Sequence, residues 1–281
     1  MKIINKNPKV QILLATYNGE NFLREQLDSI INQEYKSWEI LIHDDGSNDN
    51  TILIINEYQN NFPNKIRLLN DQKIFSSASK NFFHLMENRS REANLYCLCD
   101  QDDIWHKSKL KFFVERYNSK EDKEPLLIHS DLSLIDDKGQ VFENSHNKLI
   151  NNQKNFISKN TALYYNAVPG CALSINSALA DKVSYNKNMV MHDWWILLSA
   201  LYSNTNVVYI NYPLVKYRQH SGNVLGYKKN NILILVIRLL FKIPLYAKNV
   251  QKAYTQSKEF HNQTLLQYFI RLVIHQIKTN L

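Results

Sequence analysis

A chain of 281 residues with 44% hydrophobic content is long enough to bury a substantial core, which excludes an intrinsically disordered protein. The net charge of +8 is concentrated at one end, since nine Lys or Arg residues and a single acid, Glu259, follow Gly226. The preceding residues are balanced in charge, so no nucleic-acid partner is expected.

The three cysteines are interpreted as small buried residues rather than as a disulfide framework, because they are odd in number and lie in apolar runs. These residues are Cys97, Cys99 and Cys171. Cysteines that are not paired in disulfides favour a reducing, cytoplasmic compartment. The first ten residues, MKIINKNPKV, lack the continuous apolar core of a signal peptide, so secretion is not expected.

Apolar runs alternate with helical patterns through the first part of the chain. The runs predict strands at 10–18, 38–45, 65–70 and 94–100. The segments between them predict helices at 22–31, 50–62 and 77–88. Helices of this length between strands imply right-handed crossovers. The sequence therefore predicts an α/β fold, a mainly parallel central sheet with helices on both faces.

The pattern loosens after residue 125. A hairpin is predicted at 125–136 with its turn at 136–139, and a strand at 166–175 that contains a Pro-Gly break. Residues 191–203 predict a helix, and 206–226 are rich in β-forming residues.

Polar residues follow three of the predicted strands where each one ends. They are Thr16 to Asn18, Asp44 to Ser47 and Asp100 to Asp103. Ligands of open parallel sheets bind beyond the carboxyl ends of the strands, and these ends share one edge. The sequence thus predicts a binding site there.

The acids of the segment DQDD, residues 100–103, would repel one another unless a cation bound them. Carboxylate oxygens are the ligands that Mg²⁺ and Mn²⁺ prefer, and such an ion also accepts phosphate oxygens. An EF-hand is excluded because its sixth and twelfth positions are occupied by Trp105 and Lys111. The alternative is an acidic turn that caps the following helix.

The segment HDDGSND, residues 43–49, combines a tight turn with two adjacent acids. A carboxylate there is suited to accept hydrogen bonds from the imide N–H of a pyrimidine or from ribose hydroxyls. The chain contains no Gly-x-Gly-x-x-Gly and no Walker loop. A nucleoside diphosphate would therefore depend on a metal ion for neutralisation.

Three segments carry a resemblance to a known family. TYNGENFLREQLDSIINQ, WEILIHDDGSNDNT and DQDDIW resemble the nucleotide-sugar-binding half of the family 2 glycosyltransferases, which have the GT-A fold. The later MHDWW and YRQHSGNVLG resemble the bacterial, rhamnosyltransferase-like branch that acts in surface polysaccharide synthesis. The resemblance covers roughly residues 8–226, and it implies a GT-A domain at 1–226 with a basic helical extension at 227–281.

The resemblance implies roles for residues at the donor end of the site. Thr16 and Asp45 would contact the nucleoside, with Tyr17 and Asp44 close by, and Asp100 would lie near the ribose. The donor would be a dTDP-sugar or UDP-sugar, with dTDP-rhamnose favoured.

The resemblance also implies the reacting groups. Asp102 or Asp103 would bind Mn²⁺ or Mg²⁺, and Asp193 matches the catalytic base. Independently, inverting sugar transfer needs one carboxylate to take the proton of the acceptor hydroxyl. The alternative for Asp193 is an acid favoured by the helix dipole. Arg218 and His220 are candidate contacts to the diphosphate, and His220 could instead complete the metal shell.

The basic tail contains two apolar segments, 231–246 and 264–278. The first is short for a membrane span and is interrupted by Arg238, Lys242 and Pro244, so an interfacial helix on an anionic inner leaflet is expected. This fits a lipid-linked oligosaccharide acceptor at the cytoplasmic membrane face. The alternative is two helices that pack on the body or on the second subunit of a homodimer.

Two other classes of function compete with glycosyl transfer. A nucleotidyltransferase would need a Gly-rich, basic N-terminal loop, and residues 15–24 offer only Gly19 and Arg24. A non-catalytic membrane or nucleic-acid binder would use the tail alone and would turn over no donor.

Overall fold

A computed structural model describes residues 7–120, 124–149, 157–220 and 243–280. The strands are β1 (Val10–Thr16), β2 (Trp38–Asp44), β3 (Ile66–Leu68), β4 (Leu95–Cys99), β5 (Ile104–Trp105), β6 (Leu126–Ile135), β7 (Val141–Glu143), β8 (Leu173–Asn176) and β9 (Asn206–Arg218). They form one sheet in the order β3-β2-β1-β4-β8-β6-β9-β5, and β7 pairs with β6.

The first four strands of the chain run parallel, as predicted. Leu14 on β1 lies opposite Ile42 on β2 and Cys99 on β4, so the carboxyl ends of these strands are level. Beyond β4 the directions are mixed, since β8 is antiparallel to both β4 and β6 while β9 is parallel to β6. The predicted hairpin is confirmed as β6 and β7, and Gly139 in its turn has φ +79°.

The described helices cover both faces of the sheet. They are α1 (Leu23–Ile31), α2 (Thr51–Asn61), α3 (Ala78–Glu87), α4 (Lys109–Asn118), α5 (His146–Leu149), α6 (Lys159–Ala162), α7 (Ser177–Ala180), α8 (His192–Tyr202), α9 (Ile243–Lys258) and α10 (Leu265–Asn280). Helices α1, α2 and α4 bury their apolar residues against one face, and α3, α7 and α8 against the other. The α/β architecture predicted from the sequence is confirmed, and the three cysteines are free and buried.

One predicted strand is shorter than expected. In place of 166–175, the strand begins at Leu173 and is preceded by a turn of 3₁₀-helix at Gly170–Ala172. The reason is a hydrogen bond to a side chain, because the Gly170 N–H donates to Asp193 instead of to a neighbouring strand. β9 ends at Arg218, and residues 221–226 of the predicted β-rich segment lie outside the described residues.

The two C-terminal helices contact the body through a few buried polar and aromatic groups. Gln256 on α9 accepts a hydrogen bond from the Val190 N–H at 2.6 Å. Tyr268 on α10 is fully buried, and its hydroxyl donates to the Leu163 carbonyl. Most of the apolar segment predicted at 231–246 lies outside the described residues. No helix in the described part of the chain has both the length and the apolar character to span a bilayer.

Candidate active site

The polar ends of β1 and β2 are joined directly. Thr16 Oγ1 donates to Asp44 Oδ2 at 2.7 Å. Asp44 also accepts the N–H groups of Gly46 and Ser47, and the hydroxyl of Ser47 at 2.6 Å. The turn requires Gly46, which has φ +87° and lies against Ile74. Asp44 therefore shapes the loop after β2, next to the position predicted to receive a nucleoside.

Asp45 links this loop to the segment between β3 and α3. It is 5% exposed, and its two oxygens accept the N–H groups of Phe75 and Ser77. Ser77 is also the N-cap of α3, where its side chain accepts the Lys80 N–H. The position of Asp45 thus depends on the conformation of residues 69–77.

Gln101 holds the loop after β1, a role that the sequence did not reveal. Its amide accepts the Tyr17 N–H and donates to the Tyr17 carbonyl, both at 2.8 Å. Gly19 allows this approach, because a Cβ there would lie 2.3 Å from Gln101 Oε1. The ring of Tyr17 remains 55% exposed and free to meet a ligand. A glutamine between two acids was the available signal, but its partner is 84 positions away.

The acids that follow β4 differ in environment. Asp102 Oδ2 lies 2.8 Å from His220 Nε2 and remains partly exposed. Burial, together with the charges of Asp102 and Asp193, raises the pKa of Asp100 to about 7. Asp103 is fully buried; burial and the charges of Asp102 and Asp100 raise its pKa well above the usual range. The three carboxylates therefore destabilise one another, as the sequence predicted.

Arg218 anchors the acidic segment from the end of β9. Its N–H donates to Asp103 Oδ1 at 3.1 Å, and its Nε donates to the Asp102 carbonyl at 2.9 Å. The guanidinium also reaches the carboxylate of Glu25 and lies 4.6 Å from the ring of Phe22. With 1% exposure, Arg218 is built into the wall of the site, and its predicted contact with a diphosphate stays a prediction.

Asp193 enters the same edge of the sheet from the first turn of α8. It is 6% exposed, with Oδ2 accepting the Gly170 N–H at 3.0 Å and Oδ1 accepting the Trp194 N–H at 2.7 Å. These bonds fix the carboxylate, and its charge contributes to the raised pKa of Asp100. The two acids, far apart in sequence, are therefore close enough to interact electrostatically. The indole N–H of Trp194 donates to the Ala162 carbonyl, which places that ring in the core.

The residues present fit a divalent cation. Asp103 Oδ2 has no hydrogen-bond partner within the described ranges although it is fully buried. Asp100, Asp103 and Cys171 each offer one atom within 4.8 Å of the others. Burial raises the pKa of the Cys171 thiol well above its usual value, which keeps the thiol protonated and a poor ligand. The hard carboxylate oxygens that remain suit Mg²⁺ or Mn²⁺.

The sequence has relatives among bacterial glycosyltransferases. A family model described as "Glycosyl transferase family 2" matches residues 11–124. The dTDP-rhamnosyl transferase RfbG of Shigella flexneri is 31% identical over 222 residues, covering 76% of this chain and 73% of that protein. WfgD of Escherichia coli, a UDP-Glc:alpha-D-GlcNAc-diphosphoundecaprenol beta-1,3-glucosyltransferase, is 23% identical over 221 residues, covering 76% and 79%.

Solved structures share the fold. TarS of S. aureus, in complex with UDP-GlcNAc, superposes with a TM-score of 0.62 at 14% identity, covering 95% of this chain and 71% of that one. The mannosyltransferase PcManGT of Pyrobaculum calidifontis, in complex with GDP-Man and Mn²⁺, has a TM-score of 0.60 at 14% identity and covers 99% and 71%. The predicted GT-A fold is confirmed by these likenesses.

Proposed function

The chain belongs to glycosyl transferase family 2, and from that premise we propose an inverting, metal-dependent transfer of a sugar to a hydroxyl of a lipid-linked glycan. The donor is a nucleoside diphosphate sugar. Rhamnose is favoured because RfbG is a dTDP-rhamnosyl transferase, and a UDP-hexose is the alternative because WfgD uses UDP-Glc. The product belongs to the synthesis of a bacterial surface polysaccharide such as capsule, O-antigen or cell wall.

One observation carries the proposal. The carboxylate of Asp193 is held by the Gly170 N–H and is near enough to Asp100 for its charge to raise the pKa of that acid, and Asp102 in the same acidic segment contacts His220. This arrangement provides a proton acceptor near a cluster suited to a diphosphate.

Asp193 acts as the general base. The Gly170 and Trp194 N–H groups orient its carboxylate, and each oxygen keeps a second lone pair. Asp193 takes the proton of the acceptor hydroxyl while that oxygen attacks the anomeric carbon, and the bond to the diphosphate breaks on the opposite face. The anomeric configuration is inverted, and no sugar becomes attached to the protein.

The donor is held at the ends of β1, β2 and β4. Thr16, Tyr17, Asp44 and Asp45 surround the nucleoside, and Asp100 lies near the ribose. Arg218 and His220 border the diphosphate.

Asp102, with Asp103 as the alternative, would hold Mn²⁺ or Mg²⁺, and such an ion would supply positive charge to neutralise a diphosphate. The partial exposure of Asp102 favours it over the fully buried Asp103.

A panel of nucleotide sugars tests the proposal. The wild type should release nucleoside diphosphate from one donor in the presence of Mn²⁺ or Mg²⁺ and of a lipid-linked acceptor. Asp193→Asn should lower kcat by about 100- to 10,000-fold while donor affinity is kept. Asp102→Asn should weaken metal and donor binding, and Asp137→Asn, at an exposed turn position, is the control. Full activity in both site variants would show that the site is wrongly assigned.

The extension at 227–281 is proposed to place the enzyme on the cytoplasmic face of the membrane. On α10 the apolar side chains of Leu266, Phe269, Ile270 and Ile274 are 37–68% exposed, and the tail is strongly basic. An apolar helix face beside positive charge suits an anionic leaflet.

Cosedimentation with vesicles of anionic lipid measures this membrane contact. Leu266→Glu should abolish cosedimentation, whereas Leu53→Glu on α2 should not, although Leu266 and Leu53 are 68% and 67% exposed. If Leu266→Glu instead converts a homodimer to a monomer with vesicle binding intact, the face is a subunit interface.

A further inference from the structure

A second cluster of metal-binding side chains lies on the other side of Asp45. His43 is the next-to-last residue of β2, Asp71 lies between β3 and α3, and His84 is on α3. His43 Nε2 is 3.3 Å from Asp71 Oδ1, and His84 Nε2 is 2.5 Å from Asp71 Oδ2. Ligand atoms of all three residues lie within 4.8 Å of one another. The histidine side chains are 2% and 5% exposed, whereas Asp71 is 31% exposed and provides a route from solvent.

Asn81 fixes the tautomer of His43. The Asn81 Nδ2 donates to the His43 carbonyl at 3.2 Å, so its Oδ1 is the atom that faces His43 Nδ1 at 2.8 Å. A carbonyl oxygen can only accept, and His43 Nδ1 must therefore carry the hydrogen. Nε2 of a neutral His43 then directs its lone pair at Asp71. Metal-binding histidines are oriented in this way by a partner on the other ring nitrogen.

The facing oxygen of Asp71 is also an acceptor. Burial acts to raise the pKa of Asp71, but the hydrogen bonds from His84 and the Lys73 N–H and the nearby histidines lower it overall. Asp71 is thus a carboxylate at neutral pH. Two lone pairs directed at each other across 3.3 Å repel unless a cation lies between them. That cation is either a proton on His43 or a metal ion.

From this geometry we propose that His43, Asp71 and His84 bind a zinc-class transition metal ion. Bonds of about 2.1 Å at tetrahedral angles separate ligand atoms by about 3.4 Å, which matches the His43–Asp71 distance. The 2.5 Å contact between His84 and Asp71 is a hydrogen bond, and it must lengthen when a metal replaces its proton. Two imidazoles and a carboxylate suit Zn²⁺, Co²⁺ or Ni²⁺ better than Mg²⁺. The site therefore differs in chemistry from the carboxylate cluster of Asp100 and Asp103.

Metal binding at His84 requires the other tautomer of the ring. In the present geometry His84 Nε2 donates to Asp71, and Asn88 Nδ2 lies 3.4 Å from His84 Nδ1. When the metal takes Nε2, the proton of Nε2 leaves to solvent and Nδ1 takes up another, so Nδ1 becomes the donor and no proton is released overall. Rotation of the Asn88 amide then presents its oxygen to Nδ1, at the cost of its 2.9 Å bond to the His84 carbonyl.

Metal binding at these three residues would fix the conformation of the segment 69–77. Asp71 belongs to the segment 69–77 whose Phe75 and Ser77 N–H groups hold Asp45. The rings of His43 and His84 also contact the Phe75 ring, at 5.6 and 5.1 Å. A metal at this site ties the loop to β2 and α3. Its effect on donor affinity rests on the proposed function, but its binding does not.

The test uses Zn²⁺ and Co²⁺ with the full chain, without nucleotide and with excess Mg²⁺ to fill the carboxylate cluster. The wild type should bind one Zn²⁺ per chain and give the intense visible absorption of four-coordinate Co²⁺. Asp71→Asn and His84→Gln should weaken Zn²⁺ binding by more than about 100-fold, the upper range seen for outer-shell partners. His261→Gln, a histidine between α9 and α10, is the matched control.

Two results would overturn the proposal. One is Zn²⁺ binding that is unchanged in both ligand variants. The other is a wild type that takes up no Zn²⁺ while NMR shows His43 as an imidazolium, because a proton would then be the cation beside Asp71. If the wild type binds Zn²⁺ as expected but transfers no sugar, only the proposed function is contradicted.

Discussion

His220 and Asp102 are joined across the site by a 2.8 Å contact between Nε2 and Oδ2, although 118 positions separate them. The imidazole also packs on the ring of Phe22 at a centroid distance of 5.0 Å. His220, two residues after the end of β9, thereby positions the carboxylate that we propose holds the metal ion.

The first prediction follows from this contact. His220→Gln should raise the Mn²⁺ concentration needed for half-maximal transfer by about 10- to 100-fold, since a residue that orients or supplements a metal ligand contributes that much to affinity. Saturating Mn²⁺ should restore most of kcat. A metal titration of activity measures this, with His261→Gln as control. An unchanged metal dependence would leave His220 without the proposed role.

The second prediction concerns Gly19 and Gln101. Gly19→Ala should displace the Gln101 amide and break its two bonds to Tyr17, because the new Cβ would lie 2.3 Å from Oε1. Gln101→Ala removes the same bonds directly. Donor KM should therefore rise in each single variant, and the double variant should be no worse than Gln101→Ala. Additive losses in the double-mutant cycle would contradict this coupling.

The third prediction separates anchoring from ligand binding at Arg218. Lysine cannot reproduce the bonds of Arg218 to the Asp102 carbonyl and to Glu25. Arg218→Lys should lower the free energy of unfolding by about 2 to 4 kcal/mol, as charged hydrogen bonds in a buried place are lost. Urea denaturation measures the change. If stability is unchanged and only donor KM rises, Arg218 acts mainly on the diphosphate.

The fourth prediction is a pH dependence of stability. Burial lowers the pKa of His129 on β6 from 6.5 to about 4. Between pH 6.5 and pH 4, His129 is therefore protonated in the unfolded chain and neutral in the folded chain. The contribution of the neutral, buried His129 to the free energy of unfolding is complete above pH 6.5 and is lost as the pH falls toward 4. The loss should reach about 3 kcal/mol.

The measurement is the difference in unfolding free energy between wild type and His129→Leu across this range. His261→Gln should follow the wild type. A difference that does not vary with pH would show that His129 titrates normally in the folded protein.

The parallel half of the sheet could be predicted from the sequence because its signals are local. The apolar runs that end at Thr16, Asp44 and Asp100 are continuous in the chain, and parallel strands necessarily bring such ends to one edge. The resemblance then suggested Asp193, whose charge acts on Asp100 in the structure, and its role as the base stays a prediction.

The remaining features depend on contacts between distant parts of the chain. No local pattern indicates that β8 enters between β4 and β6, or that the short β5 pairs with β9. The anchoring of Asp103 by Arg218 and the grouping of His43, Asp71 and His84 likewise arise only when separate elements pack. The sequence drew attention to Asp103, Arg218 and the segment that begins with His43, but not to these pairings.

The bond between Arg218 and Asp103 also has a consequence for the order of folding. A nascent chain that ends before β9 already contains the parallel strands β1 to β4, but it lacks the group that fixes the acidic segment. Closing a contact over 115 positions is entropically costly and forms late. We expect a folding intermediate in which the parallel strands β1 to β4 are ordered. In this intermediate the acids at 100–103 stay exposed to solvent until β9 docks.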